Sequence, residues 1–86
     1  MKILVPSQLR DYTGGANLVE AQGASLAAVL ADLDGRYPGI RFRMIDEQGT
    51  IRRHIRIFLN REQTRTLDTP LAERDEIVIV GALSGG

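Results

Sequence analysis

Cysteine is absent from this 86-residue sequence, tryptophan is absent too, and histidine occurs once. Without a thiol there can be no disulfide, no thiolate metal site and no cysteine nucleophile. That suits a reducing compartment, and a cytoplasmic location is expected. Charge of one sign is also missing: Lys+Arg and Asp+Glu number 11 each, for a formal net charge of +0. Sequence-independent nucleic-acid binding needs a large positive field, which this balance does not supply. No apolar run approaches the ~20 residues of a membrane span. The opening MKILVPSQLR has one lysine and a very short apolar stretch halted by Pro6, so it reads as a first strand and not as a signal peptide. Neither a nucleic acid nor a membrane is therefore expected as a partner.

What remains is enough for one small domain with a modest core and little room for a deep pocket. Residues 2–5 form an apolar run closed by Pro6. Turn chemistry at Thr13-Gly14-Gly15 precedes a second strand over 17–21, closed by Gly23, so the chain opens as a hairpin with a long loop. The segment GASLAAVLADLDGRYPG is a helix. Ser25 stands at its N-cap, Leu26, Val29, Leu30, Leu33 and Tyr37 make one apolar stripe, and Pro38-Gly39 ends it. Residues 40–53 mix charge with scattered apolar positions around Gln48-Gly49 and read as an irregular arm. Strands follow over 55–60, 63–67 (a short edge strand) and 76–80. The order, ββαβ(β)β, predicts an α+β domain over residues 1–80, with a mixed sheet of four to five strands and one main helix packed across it.

Strand alternation assigns the faces. The odd positions Ile3, Val5, Ile57, Leu59, Ile77 and Ile79 form the core face. Lys2, Arg56 and Glu76 suit a solvent face, but Leu4, Phe58, Val78 and Val80 share it. A sheet with a helix on one side should alternate apolar-in, polar-out. Two readings remain open: the 40–53 arm covers this face, or the face is an exposed apolar patch of the kind that marks a partner surface.

The last strand runs into Gly81-Ala82-Leu83-Ser84-Gly85-Gly86. Residues 81–86 read as a flexible tail with nothing bulky after Leu83. Glycine permits close backbone approach, so a terminal carboxylate on Gly86 could be threaded into the active site of another protein. That carboxylate is inert until activated, most simply as an acyl-adenylate made by an ATP-using partner. Sulfur attack would then leave a thiocarboxylate; amine attack would leave an isopeptide. A body without thiols offers no internal nucleophile to intercept the activated end and no thiol to pair oxidatively with bound sulfur.

Four stretches, ILVPSQLRDYTGG, ASLAAVLADLDGRYPGI, IRIFLN and TPLAERDEIVIVGALSGG, resemble the ubiquitin-like sulfur carriers of the MoaD/ThiS family over essentially the whole chain. The resemblance implies the β-grasp (ubiquitin-like) fold. It implies that Gly86 accepts the adenylate and then the thiocarboxylate, that Gly85, Ser84 and Leu83 thread into the activating enzyme, and that Phe58, Val78 and Val80 dock on it. Leu4, on the same face, joins that docking set. The implied partners are an E1-like adenylyltransferase that uses ATP and magnesium, a sulfur donor enzyme and an acceptor biosynthetic enzyme; no cofactor is held by the chain itself. The chain departs from the family pattern at Arg74, before the acid of the last turn, and at Gly81, where proline is common. Its long first loop is more like that of carriers serving cysteine or related amino-acid synthesis than of molybdopterin-synthase small subunits or thiamin-type carriers. Ubiquitin-like modification of lysines is the rival, since it needs the same activated carboxylate.

An enzyme in its own right is not expected. His54 has no visible base or nucleophile to work with, and one histidine with scattered carboxylates makes a poor metal site. Arginine is dense from Arg36 to Arg65, with Tyr37, Phe42 and Phe58 interleaved, but Asp46, Glu47 and Glu62 dilute it. A solvated face, or a docking surface for an acidic partner, accounts for it better than RNA binding does.

Overall fold

The first and last strands of the chain lie side by side in parallel, so the segments most distant in sequence form the middle of the sheet. A computed structural model describes residues 1–81. Its elements are β1 (Lys2–Leu4), β2 (Leu18–Glu20), α1 (Leu26–Arg36), α2 (Ile40–Met44), β3 (Ile55–Leu59), β4 (Glu62–Thr64) and β5 (Glu76–Gly81), with a 3-10 turn at Ser7–Leu9. The sheet order is β2-β1-β5-β3-β4. β1 and β5 are parallel and every other pair is antiparallel. This is the mixed five-stranded sheet with one main helix that the alternation and the single long apolar stripe predict.

The inner face carries the core. Ile3 pairs with Val19 and Ile77, and Ile57 pairs with Ile79; all five are buried, together with Val5, Ala21, Ile55 and Leu59. Leu26, Val29, Leu30 and Leu33 of α1 cover them, and Tyr37 packs at the edge of the same cluster. The Ser25 hydroxyl accepts the Ala28 N–H at 3.2 Å, the N-cap bond expected of it. Gly23 is required by close approach, because a Cβ there would stand 2.5 Å from the Val29 nitrogen.

The 40–53 segment differs from the irregular arm expected. It begins with α2, whose first turn is held by α1: Asp34 Oδ1 accepts the N–H groups of Gly39 and Arg41, each at 3.1 Å. Ile40, Met44 and Ile45 are fully buried, so the segment extends the core beside α1. Only its second half is the turn expected, with Asp46 accepting from Gln48 and Thr50 at 2.9 Å and Ile45 bridging Ile51. The edge strand over 63–67 is in fact β4, shifted toward the hairpin. Asn60 and Arg61 form its two-residue turn, and both have positive φ, 49° and 77°, as a type I′ turn demands.

Asp75 ties that turn to β5. Its Oδ2 accepts the Ala72 N–H at 2.7 Å, its Oδ1 accepts Asn60 Nδ2 at 2.9 Å, and Asn60 Oδ1 accepts the Glu76 N–H at 2.9 Å. The Ala72 bond above all, then the Asn60 bond, holds the Asp75 carboxyl below the ordinary aspartate range. Asp32 is lowered in the same direction, first by the Gln22 N–H and then by Arg36. A depressed native pKa means that the unfolded chain takes up protons first. The contribution is complete above the unfolded value of 3.8 and is lost as pH falls through the lower native values. Melting temperature should therefore drop on acidification below about pH 4. Asp75→Asn, with one acceptor in place of two, should melt lower at neutral pH and show a shallower acid slope; an unchanged slope would remove Asp75 from the account.

Candidate functional site

Pleating places the even residues of β1, β3 and β5 on the side away from both helices. Here register builds one row: Leu18 stands opposite Leu4, Leu4 beside Val78, Val78 opposite Phe58, and Phe58 opposite Gln63. Leu4 is 40% exposed, Leu18 50% and Val80 41%, while Phe58 and Val78 are half-buried. Because the 40–53 segment packs on the core side, nothing among the described residues covers this face. Of the two readings left open by the alternation, the exposed apolar patch is the one the fold realises. Leu4, Phe58, Val78 and Val80 all lie in it. Leu18 was not anticipated: strand periodicity alone says nothing of the β1–β2 register that sets it against Leu4.

The patch has charged borders. At one end Lys2 stands between Glu20 and Glu76, and a hollow there is also lined by Glu73, Arg74 and Asp75. At the other end Arg56 stands opposite Val80. A patch bounded this way is small enough for a lone molecule to carry in water, yet large enough to add apolar burial to a complex.

β5 runs one residue beyond the expected strand, and Gly81 pairs with Ile55. Gln8, on the 3-10 turn, donates from Nε2 to the Gly81 carbonyl at 2.9 Å. A Cβ on Gly81 would lie about 3 Å from the Gln8 carboxamide. Glycine at this position thus lets a side chain from the far end of the sequence close over the last described residue. Leu83, Ser84, Gly85 and Gly86 lie outside the described residues.

The remaining candidates do not converge. His54 is exposed, and no group of three or more His, Cys, Asp or Glu side chains able to hold a metal occurs among the described residues. No described helix is long and apolar enough to cross a membrane.

Comparison with known proteins places this geometry. The ThiS family model matches residues 3–86. The chain belongs to the ThiS family. Sulfur carrier protein CysO of Mycobacterium tuberculosis is 37% identical over 89 residues, covering 98% of this chain and 96% of the relative. Its crystal structure superposes with a TM-score of 0.89, at 36% identity over 95% of this chain and 98% of the other. A chain of the Amycolatopsis orientalis BexX/CysO complex also matches at 0.89, with 31% identity over 99% and 98%. Small archaeal modifier protein 1 from Methanosarcina acetivorans matches at 0.80, with 28% identity over 99% and 94%. The fold is the β-grasp, as the resemblance in the sequence implied.

Two outcomes are expected of this face. Val80→Asp should cost about 1 kcal/mol or less, since Val80 is part-exposed and an aspartate there faces Arg56; Ile79→Asp, one residue away but inward, should cost more than about 4 kcal/mol or prevent folding. Denaturant melts of the two variants check the face assignment, and equal losses would refute it. Gly81→Ala and Gln8→Ala should each cost roughly 0.5–1.5 kcal/mol, and the double variant should cost clearly less than their sum, because both remove one hydrogen bond.

Proposed function

We propose that this chain is a sulfur carrier serving the synthesis of cysteine or a related amino acid. The observation that carries the reading is the near full-length 37% identity to sulfur carrier protein CysO, within a family match that runs to Gly86. The chain supplies no catalyst. It supplies a carboxylate on Gly86, a side-chain-poor approach through Leu83, Ser84 and Gly85, and an apolar face on which a partner docks.

In the proposed sequence the Gly86 carboxylate attacks the α-phosphorus of ATP held with magnesium by an E1-like adenylyltransferase. Pyrophosphate leaves and an acyl-adenylate forms. Hydrosulfide delivered by a sulfur donor enzyme then attacks the carbonyl carbon, AMP leaves, and a thiocarboxylate remains. Its sulfur is the nucleophile offered to the acceptor biosynthetic enzyme. The absence of cysteine from the chain means that no thiol of its own can capture the adenylate. Leu4, Phe58, Val78 and Val80 form the docking face in this reading, with Leu18 added. The likeness to CysO of the BexX/CysO complex supports a working state that includes a second protein. The likeness to a small archaeal modifier protein keeps lysine conjugation as the rival outcome.

Intact mass separates the two. Incubation with an adenylyltransferase of this class, ATP, magnesium and sulfide should exchange one oxygen for one sulfur. Deleting Gly86 or adding a carboxyl-terminal tag should abolish the exchange with no change in melting temperature. A ladder of conjugates on a denaturing gel, with no sulfur-bearing species, would favour the modifier reading.

A further inference from the structure

Where the apolar face ends at Arg56, a groove of ≈ 350 Å³ begins, lined by Arg52, Arg53, Arg56 and Arg65 with Thr50 and Thr64. It occupies the open end of the β3–β4 hairpin, opposite the Asn60-Arg61 turn. Ile55, also in its lining, pairs with Gly81, so the groove adjoins the last described residue.

Two of the four guanidinium groups are anchored to carbonyls. Arg52 Nε donates to the Phe42 carbonyl at 2.7 Å, with its guanidinium carbon 4.6 Å from the Phe42 ring centroid. Arg56 Nη1 donates to the Arg53 carbonyl at 2.6 Å. Each keeps further N–H donors free, since arginine has five. Arg36 and Asp32 make the sole side-chain ion pair among the described residues, so none of the four groove arginines is neutralised by a carboxylate there. Of the two acids just before Thr50, Asp46 is occupied by its own turn, and Glu47 is exposed and makes no ion pair with these arginines among the described residues. Four like charges gathered without an internal counter-charge repel one another, which costs stability in the free chain.

We propose that this groove is the docking site for a carboxylate-rich segment of a partner protein. The guanidinium fork matches a carboxylate through two parallel N–H···O bonds, and anchoring Arg52 and Arg56 in advance lowers the ordering cost of binding. A nucleic acid fits less well. The aromatic ring beside the groove, Phe42, already carries the Arg52 guanidinium on one face, so the groove offers a base at most one free ring face to stack on. The site belongs to the described residues and needs no sulfur chemistry, so its fate is separate from that of the carrier reading.

The test is titration of the full isotope-labelled chain with an octaglutamate peptide at low salt, followed residue by residue by amide chemical shift. Shifts should centre on residues 50–56 and 63–65 and weaken as salt rises. The Arg53→Glu/Arg65→Glu variant, at two exposed positions, should bind at least about tenfold more weakly with an unchanged melting temperature. If that variant fails to fold, Arg53→Gln/Arg65→Gln is read in its place. Equal binding by the charge-altered chain, shifts centred on Arg41, Arg43 or Arg61, or displacement of the peptide by tripolyphosphate or oligothymidylate at lower concentration would each overturn the proposal.

Discussion

Parallel pairing of β1 with β5 is the constraint from which the exposed apolar face follows. It sets Ile3 against Ile77 and Leu4 against Val78, and so fixes the parity of the middle of the sheet. Side chains alternate with a period of two, so a slip of one residue between these strands would turn isoleucines outward and draw Lys2 or Glu76 into the core. The apolar cost of such a slip is far larger than any loss on the outer face, because the inner residues are buried almost completely. The outer row is thus held in place by the inner one. Val78 and Val80 face outward because Ile77 and Ile79 must face α1.

That logic explains what could be read in the sequence. Ser25, the stripe from Leu26 to Leu33 and the alternation in β1, β3 and β5 are local signals, and each appears in the fold as expected. α2 was hidden because five residues offer only Ile40 and Met44 as a stripe, with Arg41 and Arg43 between them. What stabilises so short a helix is tertiary: the Asp34 bonds and burial beside α1. Leu18 was hidden for a similar reason, since its partner Leu4 is chosen by hairpin register across a long loop. The gathering of Arg52, Arg53, Arg56 and Arg65 depends on β3–β4 pairing, which places residues before β3 beside those after β4. The sequence shows their density and not their arrangement. The residues assigned the proposed chemistry, Leu83 to Gly86, were singled out by their small side chains and by the family resemblance, and they lie outside the described residues.

An open apolar face must not become a site of uncontrolled self-association. Both edge strands, β2 and β4, are only three residues long, which leaves little free ladder for another chain to extend. The apolar row is one residue deep across most of the sheet, with Lys2, Glu20 and Glu76 on one side and Arg56 on the other. A second copy laid on it would have to bury several of these charges without built-in partners. The face therefore favours a partner whose own charges are placed to meet them.

A net charge of zero conceals this arrangement. Burial of Leu4, Leu18, Val78, Phe58 and Val80 against a partner is non-directional and would tolerate many rotations about the sheet normal. The borders reduce that freedom, because at one end acids outnumber Lys2 and Arg74 while Arg56 stands at the other. A partner turned by half a revolution would set like charge against like, and such juxtapositions cost several kcal/mol. Gly81 lies at the arginine end, fastened by Gln8 and paired with Ile55. Orienting a partner by charge would thus also set it in a fixed relation to Gly81, the last described residue, as the proposed carrier role requires.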